Sequence, residues 1–182
     1  MGNSLFETQR EAWVGEFRRA KTQMDTALAQ LSDDQFRTRL TPDTNSCALI
    51  VKHLAGNMRS RWTDWLTSDG EKPDRDRDGE FEDRGEARAE IMRRYEEGWA
   101  LVFAALRSLT EADAAKTIRI RSQPHSVPDA VERQIAHYGY HSGQIQLIAR
   151  IVHGNPGWKW SSIAPGESGR FNSEMQAKFN SR

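Results

Sequence analysis

The sequence predicts an all-α protein: a four-helix bundle with a short extended segment before its last long helix and a polar C-terminal tail. Three observations predict it. Four long segments each carry a single apolar stripe that recurs in steps of three and four residues. Cap and stop residues bracket these segments. Only one short stretch alternates with the period of a strand. The 182 residues suit one domain, read as residues 1–157, with a tail over 158–182 that packs on it.

The first helix runs from Phe6 to Leu31, with Trp13, Phe17, Ala20, Met24 and Leu28 on its stripe. Ser32-Asp33-Asp34 breaks it, and a loop passes through Thr41-Pro42. The second starts at Thr44, Asn45 or Ser46, all good N-caps. Its stripe is Cys47, Val51, Leu54, Met58, Trp62 and Trp65, and it ends before Ser68. Residues 68–85 are polar with little to bury and read as a solvated, exposed loop. The third helix carries Ala87, Ile91, Tyr95, Trp99, Val102, Leu106 and Leu109. Ile118 and Ile120 alternate with Arg119 and Arg121, which predicts a short strand or extended connection. The fourth helix begins at Ser126-Val127-Pro128 and stops at Gly154-Asn155-Pro156-Gly157. A last short helix is expected near Ser173–Phe179. Trp158 and Trp160 either pin the tail across the mouth of the bundle or anchor it to the core.

Charge excludes some functions. Twenty-six basic residues balance 26 acidic ones. A general nucleic-acid or membrane-surface binder needs a basic excess, so neither partner is expected. The single cysteine, Cys47, cannot form an internal disulfide and lies on an apolar stripe. That excludes a disulfide scaffold and suits a reducing, cytoplasmic compartment. The opening MGNSLFETQREAW has no apolar core of a secretory signal.

The chemistry rests on histidine. His137 and His141 are four residues apart on the fourth helix, so both imidazoles can reach one metal ion. Two ligands are too few, and His53 on the second helix is the candidate for the third. Wheel arithmetic at about 100° per residue puts His137 and His141 roughly 60–100° from their stripe, and His53 roughly 130° from its own. The expectation is therefore a site at a rim between helices, open to solvent on one side. The bland alternative is three boundary histidines. Gln134, Gln144 and Asn57 each lie near a histidine and could orient it or a ligand; a solvated flank is the competing reading. His125 and His153 read as non-ligands.

HLAGN on the second helix and HYGYHSGQI on the fourth resemble the DinB-like superfamily of four-helix-bundle proteins, also called YfiT-like metal-dependent hydrolases. That pattern has one His on the second helix, then H-x-x-x-H-x-G-Q on the fourth. The resemblance covers nearly the whole chain and suggests a distinct subgroup. It implies that His53, His137 and His141 hold a divalent ion, zinc or nickel. It implies a homodimer, to which the excess of tryptophan also points. It further implies a small-molecule substrate and transfer of a low-molecular-weight thiol to an electrophile. A hydrolase, or a non-catalytic stress-associated bundle, stays open beside it. One departure is Ser142, where relatives often carry Arg after the last His. Arg59 and Arg61, near His53, are candidates for holding a cofactor's carboxylates.

Two other motifs carry less chemistry. Asp74 to Gly79, DRDRDG, fits the first half of a calcium loop, but its twelfth position is Gly85 where a bidentate Glu is needed. Gly56, Gly98, Gly139 and Gly143 lie inside helices at a cost near 1 kcal/mol each, and close helix packing is the plainest reason for them.

Overall fold

The computed structural model describes residues 3–180. Among these the protein is mostly helical, with one small two-stranded sheet. Helix α1 spans Leu5–Leu28 and α2 Asp33–Arg37. Helix α3 spans Cys47–Trp62, α4 Arg88–Ser108 and α5 Glu111–Ala114. Strands β1 (Thr117–Ile120) and β2 (Gln123–Ser126) precede α6, Val127–His153. The last element, α7, is Ser168–Asn180. Among the described residues, no helix is long and apolar enough to cross a membrane.

The caps explain the boundaries. Ser4 and Glu7 form a reciprocal capping box at the start of α1. Helix α1 ends at Leu28, just short of the expected Leu31, and after the break Ser32 starts a further short helix. Ser32 and Gln35 form a second capping box, and the five-residue α2 buries Phe36. Ser46 caps α3 by accepting from the Leu49 amide. That helix stops at Trp62, short of the expected end, and Asp64 takes a positive φ of 47°. Trp65 still packs on Trp62, with ring centroids 5.1 Å apart. Ser126 caps α6, Pro128 sits in its first turn, and Gly154 closes it at φ 85°.

The segment before α6 is a hairpin preceded by α5. Its tip places Arg121 and Ser122 at φ 54° and 64°, the left-handed pair that a tight two-residue turn requires. Neither is glycine. Asp69 compensates: its carboxylate accepts from the amides of Arg121 at 2.8 Å and Ser122 at 2.7 Å. This also ties the 68–85 loop to the hairpin, together with the Gly70 amide on the Arg119 carbonyl.

The four long helices close around one core. Phe17 of α1, Tyr95 and Trp99 of α4 and Tyr138 of α6 meet in edge-on and tilted ring contacts. Helix α3 lies along α4, and α1 along α6. Gly98 lets α3 and α4 come close, since a Cβ there would lie 2.9 Å from Met58 Cβ. Close packing does not explain Gly139 and Gly143, where a Cβ would meet nothing within 4 Å. The tail runs past α6: Gln30 bonds Lys159 through its carbonyl and amide, and Arg150 lies over the Trp160 ring. Helix α7 buries none of its residues.

Candidate metal centre

His53 comes from the middle of α3, and His137 and His141 come from successive turns of α6. Their Nε2 atoms converge. His137 Nε2 lies 3.3 Å from that of His53 and 3.1 Å from that of His141. One ligand atom from each falls within 4.8 Å of the others. Nitrogens bound to zinc at about 2.0–2.1 Å stand roughly 3.3 Å apart along a tetrahedral edge, so the spacing fits shared coordination.

The hydrogen bonds around the rings test that fit. His53 Nδ1 lies 2.8 Å from Glu80 Oε2, and His141 Nδ1 lies 2.8 Å from Gln144 Oε1. Gln144 is fixed in that sense because its amide nitrogen donates to the Tyr140 hydroxyl at 2.9 Å. A neutral imidazole that donates from Nδ1 presents a lone pair at Nε2. Two lone pairs therefore face His137, whose Nε2 can donate to only one of them. A cation satisfies all three. Burial, followed by the neighbouring His141 and His53, pushes His137 down to about 3. Burial, followed by His53, pushes His141 down to about 4. Both rings are thus neutral at physiological pH, as metal ligands must be.

The site is less open than a rim. His53 is 4% exposed and His141 7%, while His137 is half-buried. The cause is the 68–85 loop, which is not a solvated excursion. Phe81, in a 3₁₀ turn over Gly79–Phe81, stacks on the His53 ring at 4.7 Å. Glu80 is 6% exposed and takes two bonds of 2.8 Å from the Arg75 guanidinium. Burial pushes the Glu80 carboxyl up, but the bonds from His53 and Arg75 outweigh it and hold it below its ordinary value. The outer face of α3, polar by its own periodicity, is buried by a loop whose partners are ionic.

The other candidates fall elsewhere. Asn57 accepts from the Tyr138 hydroxyl at 3.1 Å, and that hydroxyl accepts from Trp62 Nε1 at 3.0 Å. Gln134 is buried beside Arg61, Trp62 and Trp65, and its side-chain oxygen has no partner. Of the three amides, Gln144 is the one hydrogen-bonded to a histidine. Arg59 pairs with Asp74, and Arg61 is buried against the Gly70 carbonyl and Glu71, so both arginines hold the loop. His125 pairs with Asp129, and His153 donates to the Gly154 carbonyl beside Trp158. Asp74 and Asp76 pair with Arg59 and Arg84. A cavity of about 530 Å³ opens behind Glu80, between α3, α4 and the loop, and it contains none of the three histidines.

Glu80 and Arg75 are the residues the sequence reading missed. The available signals were Phe81, a lone aromatic in a polar stretch, and Gly56, a helical glycine one turn after His53.

Fold and site together define a helical protein with a three-histidine cluster able to hold a metal ion. The chain belongs to the family described as "Protein of unknown function (DUF1572)", whose model matches residues 7–167. No curated protein and no solved structure matches it.

Proposed function

We propose that this chain is a metal-dependent protein of the DinB-like four-helix-bundle kind. His53, His137 and His141 hold one divalent ion, zinc or nickel, and a low-molecular-weight thiol is transferred at that site to a small electrophilic molecule. The observation that carries the reading is the convergence of three Nε2 atoms whose rings are oriented by Glu80 and Gln144. A divalent ion on three neutral imidazoles keeps its full charge and favours ionisation of a thiol beside it. In the transfer the thiol proton goes to solvent and sulfur bonds to the electrophilic carbon. The leaving group departs with the bonding pair. His137, the half-buried one of the three histidines, is the ligand nearest the side from which small molecules would enter.

The reading includes a cytoplasmic homodimer. Tyr140, Leu147 and Ile151 line one face of α6 and are 63%, 61% and 54% exposed, with Gly143 between them. Such a stripe is an unusual solvent face for a soluble helix and suits contact with a second copy.

The test is Co²⁺-substituted protein titrated with bacillithiol, mycothiol and glutathione. A sulfur-to-cobalt charge-transfer band in the near ultraviolet with one of them is expected. No band with any of the three at millimolar concentration would overturn thiol transfer and bring hydrolysis or a binding role forward.

A further inference from the structure

Gly56 lies on α3 one turn after His53, where glycine costs about 1 kcal/mol relative to alanine. Its φ is ordinary for a helix, so no backbone strain requires it. What fills the space is Glu80. A Cβ on Gly56 would lie 2.7 Å from Glu80 Cδ and 3.2 Å from its Cγ, and closer still to Oε1. The three nearest atoms all belong to Glu80. That side chain is pinned at both oxygens, by His53 Nδ1 and by the Arg75 fork. It has no slack with which to move aside.

We propose that Gly56 is the seat of Glu80, and that the seated carboxylate makes Glu80 a positioning residue holding His53 as its Nδ1–H tautomer with Nε2 aimed at His137. This rests on the three-histidine reading above and deepens it. A carboxylate behind a ligating imidazole fixes its tautomer and ring angle and raises its basicity. Here the carboxylate comes from a loop, and the room for it comes from a missing side chain on the ligand's own helix. Arg75 neutralises the buried charge, and Phe81, next in sequence, closes the ring's other side. A side chain at Gly56 would meet Glu80 first, so its effect on the site passes through Glu80.

The inference predicts an unusual separation of effects. Gly56→Ala raises the intrinsic helix propensity of α3 by about 1 kcal/mol, yet should displace Glu80 and disturb His53. Glu80→Gln keeps the side-chain shape and removes the charge. The full chain and both variants are compared at one pH near neutrality in two ways. In metal-free protein, two-bond ¹H–¹⁵N spectra of the imidazoles report the tautomer of His53. In parallel, competition with a chelating dye reports Zn²⁺ affinity. Wild type should show the Nδ1–H pattern, and both variants should lose or mix it. Both should bind Zn²⁺ roughly 10–100-fold more weakly, measured at a temperature where circular dichroism shows each variant still folded. An unchanged His53 tautomer in both variants overturns the inference, as does wild-type Zn²⁺ affinity in both. If wild type binds no Zn²⁺, the metal reading falls by itself, and the tautomer spectra still decide the role of Gly56 and Glu80. Should Gly56→Ala fail to fold, Glu80→Gln carries both measurements.

Discussion

Removing the Tyr138 hydroxyl should destabilise the protein and leave its metal affinity alone. Tyr138 is fully buried in α6, and burial keeps its phenol protonated by pushing its pKa above the ordinary value. The hydroxyl accepts from Trp62 Nε1 at 3.0 Å and donates to Asn57 Oδ1 at 3.1 Å. Trp62 and Asn57 are 3% and 4% exposed, so water does not replace the lost partner. Tyr138→Phe keeps the ring and its contacts with Phe17, Trp99 and His137. It orphans one buried donor and one buried acceptor, at about 1–3 kcal/mol each. The total is roughly 2–6 kcal/mol, or a melting temperature lower by about 4–24 °C for a domain of this size. Thermal unfolding followed by circular dichroism measures it. Zn²⁺ affinity should stay within about threefold, because the hydroxyl contacts no histidine. A melting temperature within 1 °C of wild type would refute the network. A tenfold loss of affinity at unchanged melting temperature would make Asn57 and Tyr138 part of the metal site instead.

Two further outcomes follow from burial and exposure. Burial pushes the Cys47 thiol up to about 12, so at pH 8 it is a protonated thiol inside the core. A disulfide reagent should label it only after denaturant is added; rapid labelling of native protein would contradict the packing at the start of α3. Leu147→Glu, alone or with Ile151→Glu, should convert a dimer into a 20.8 kDa monomer in light scattering, without loss of helical circular dichroism. A wild-type protein already monomeric at micromolar concentration would remove the dimer from the account.

The four long helices were legible because each has one apolar stripe, and α1, α3 and α6 also start on side-chain caps. Trp13, Phe17 and Met24 on α1 are buried, as are Val131, Tyr138 and Ile145 on α6. Ser126 and Gly154 bound α6 where the sequence placed them. The three histidines were legible as a set only because spacing and family pattern agreed. Their surroundings were not. A helical wheel places His53 by the apolar residues of its own helix and is blind to a polar loop that folds over the opposite face. Glu80 and Arg75 neutralise each other, so a segment that reads as solvated is buried through ionic contacts at a residue where periodicity carries no signal. The hairpin tip was hidden for a similar reason. Neither Arg121 nor Ser122 favours positive φ, and the residue that stabilises them, Asp69, is 52 positions away from Arg121 in the chain.

The most direct test of the central claim is the metal content of the purified chain, measured by inductively coupled plasma mass spectrometry after equilibration with Zn²⁺ and removal of free ion. The convergence of His53, His137 and His141 predicts about one ion per wild-type chain. The variant carrying His53→Ala, His137→Ala and His141→Ala should hold almost none while keeping its helical content. Stoichiometric metal in that variant, or none in wild type, would contradict the account.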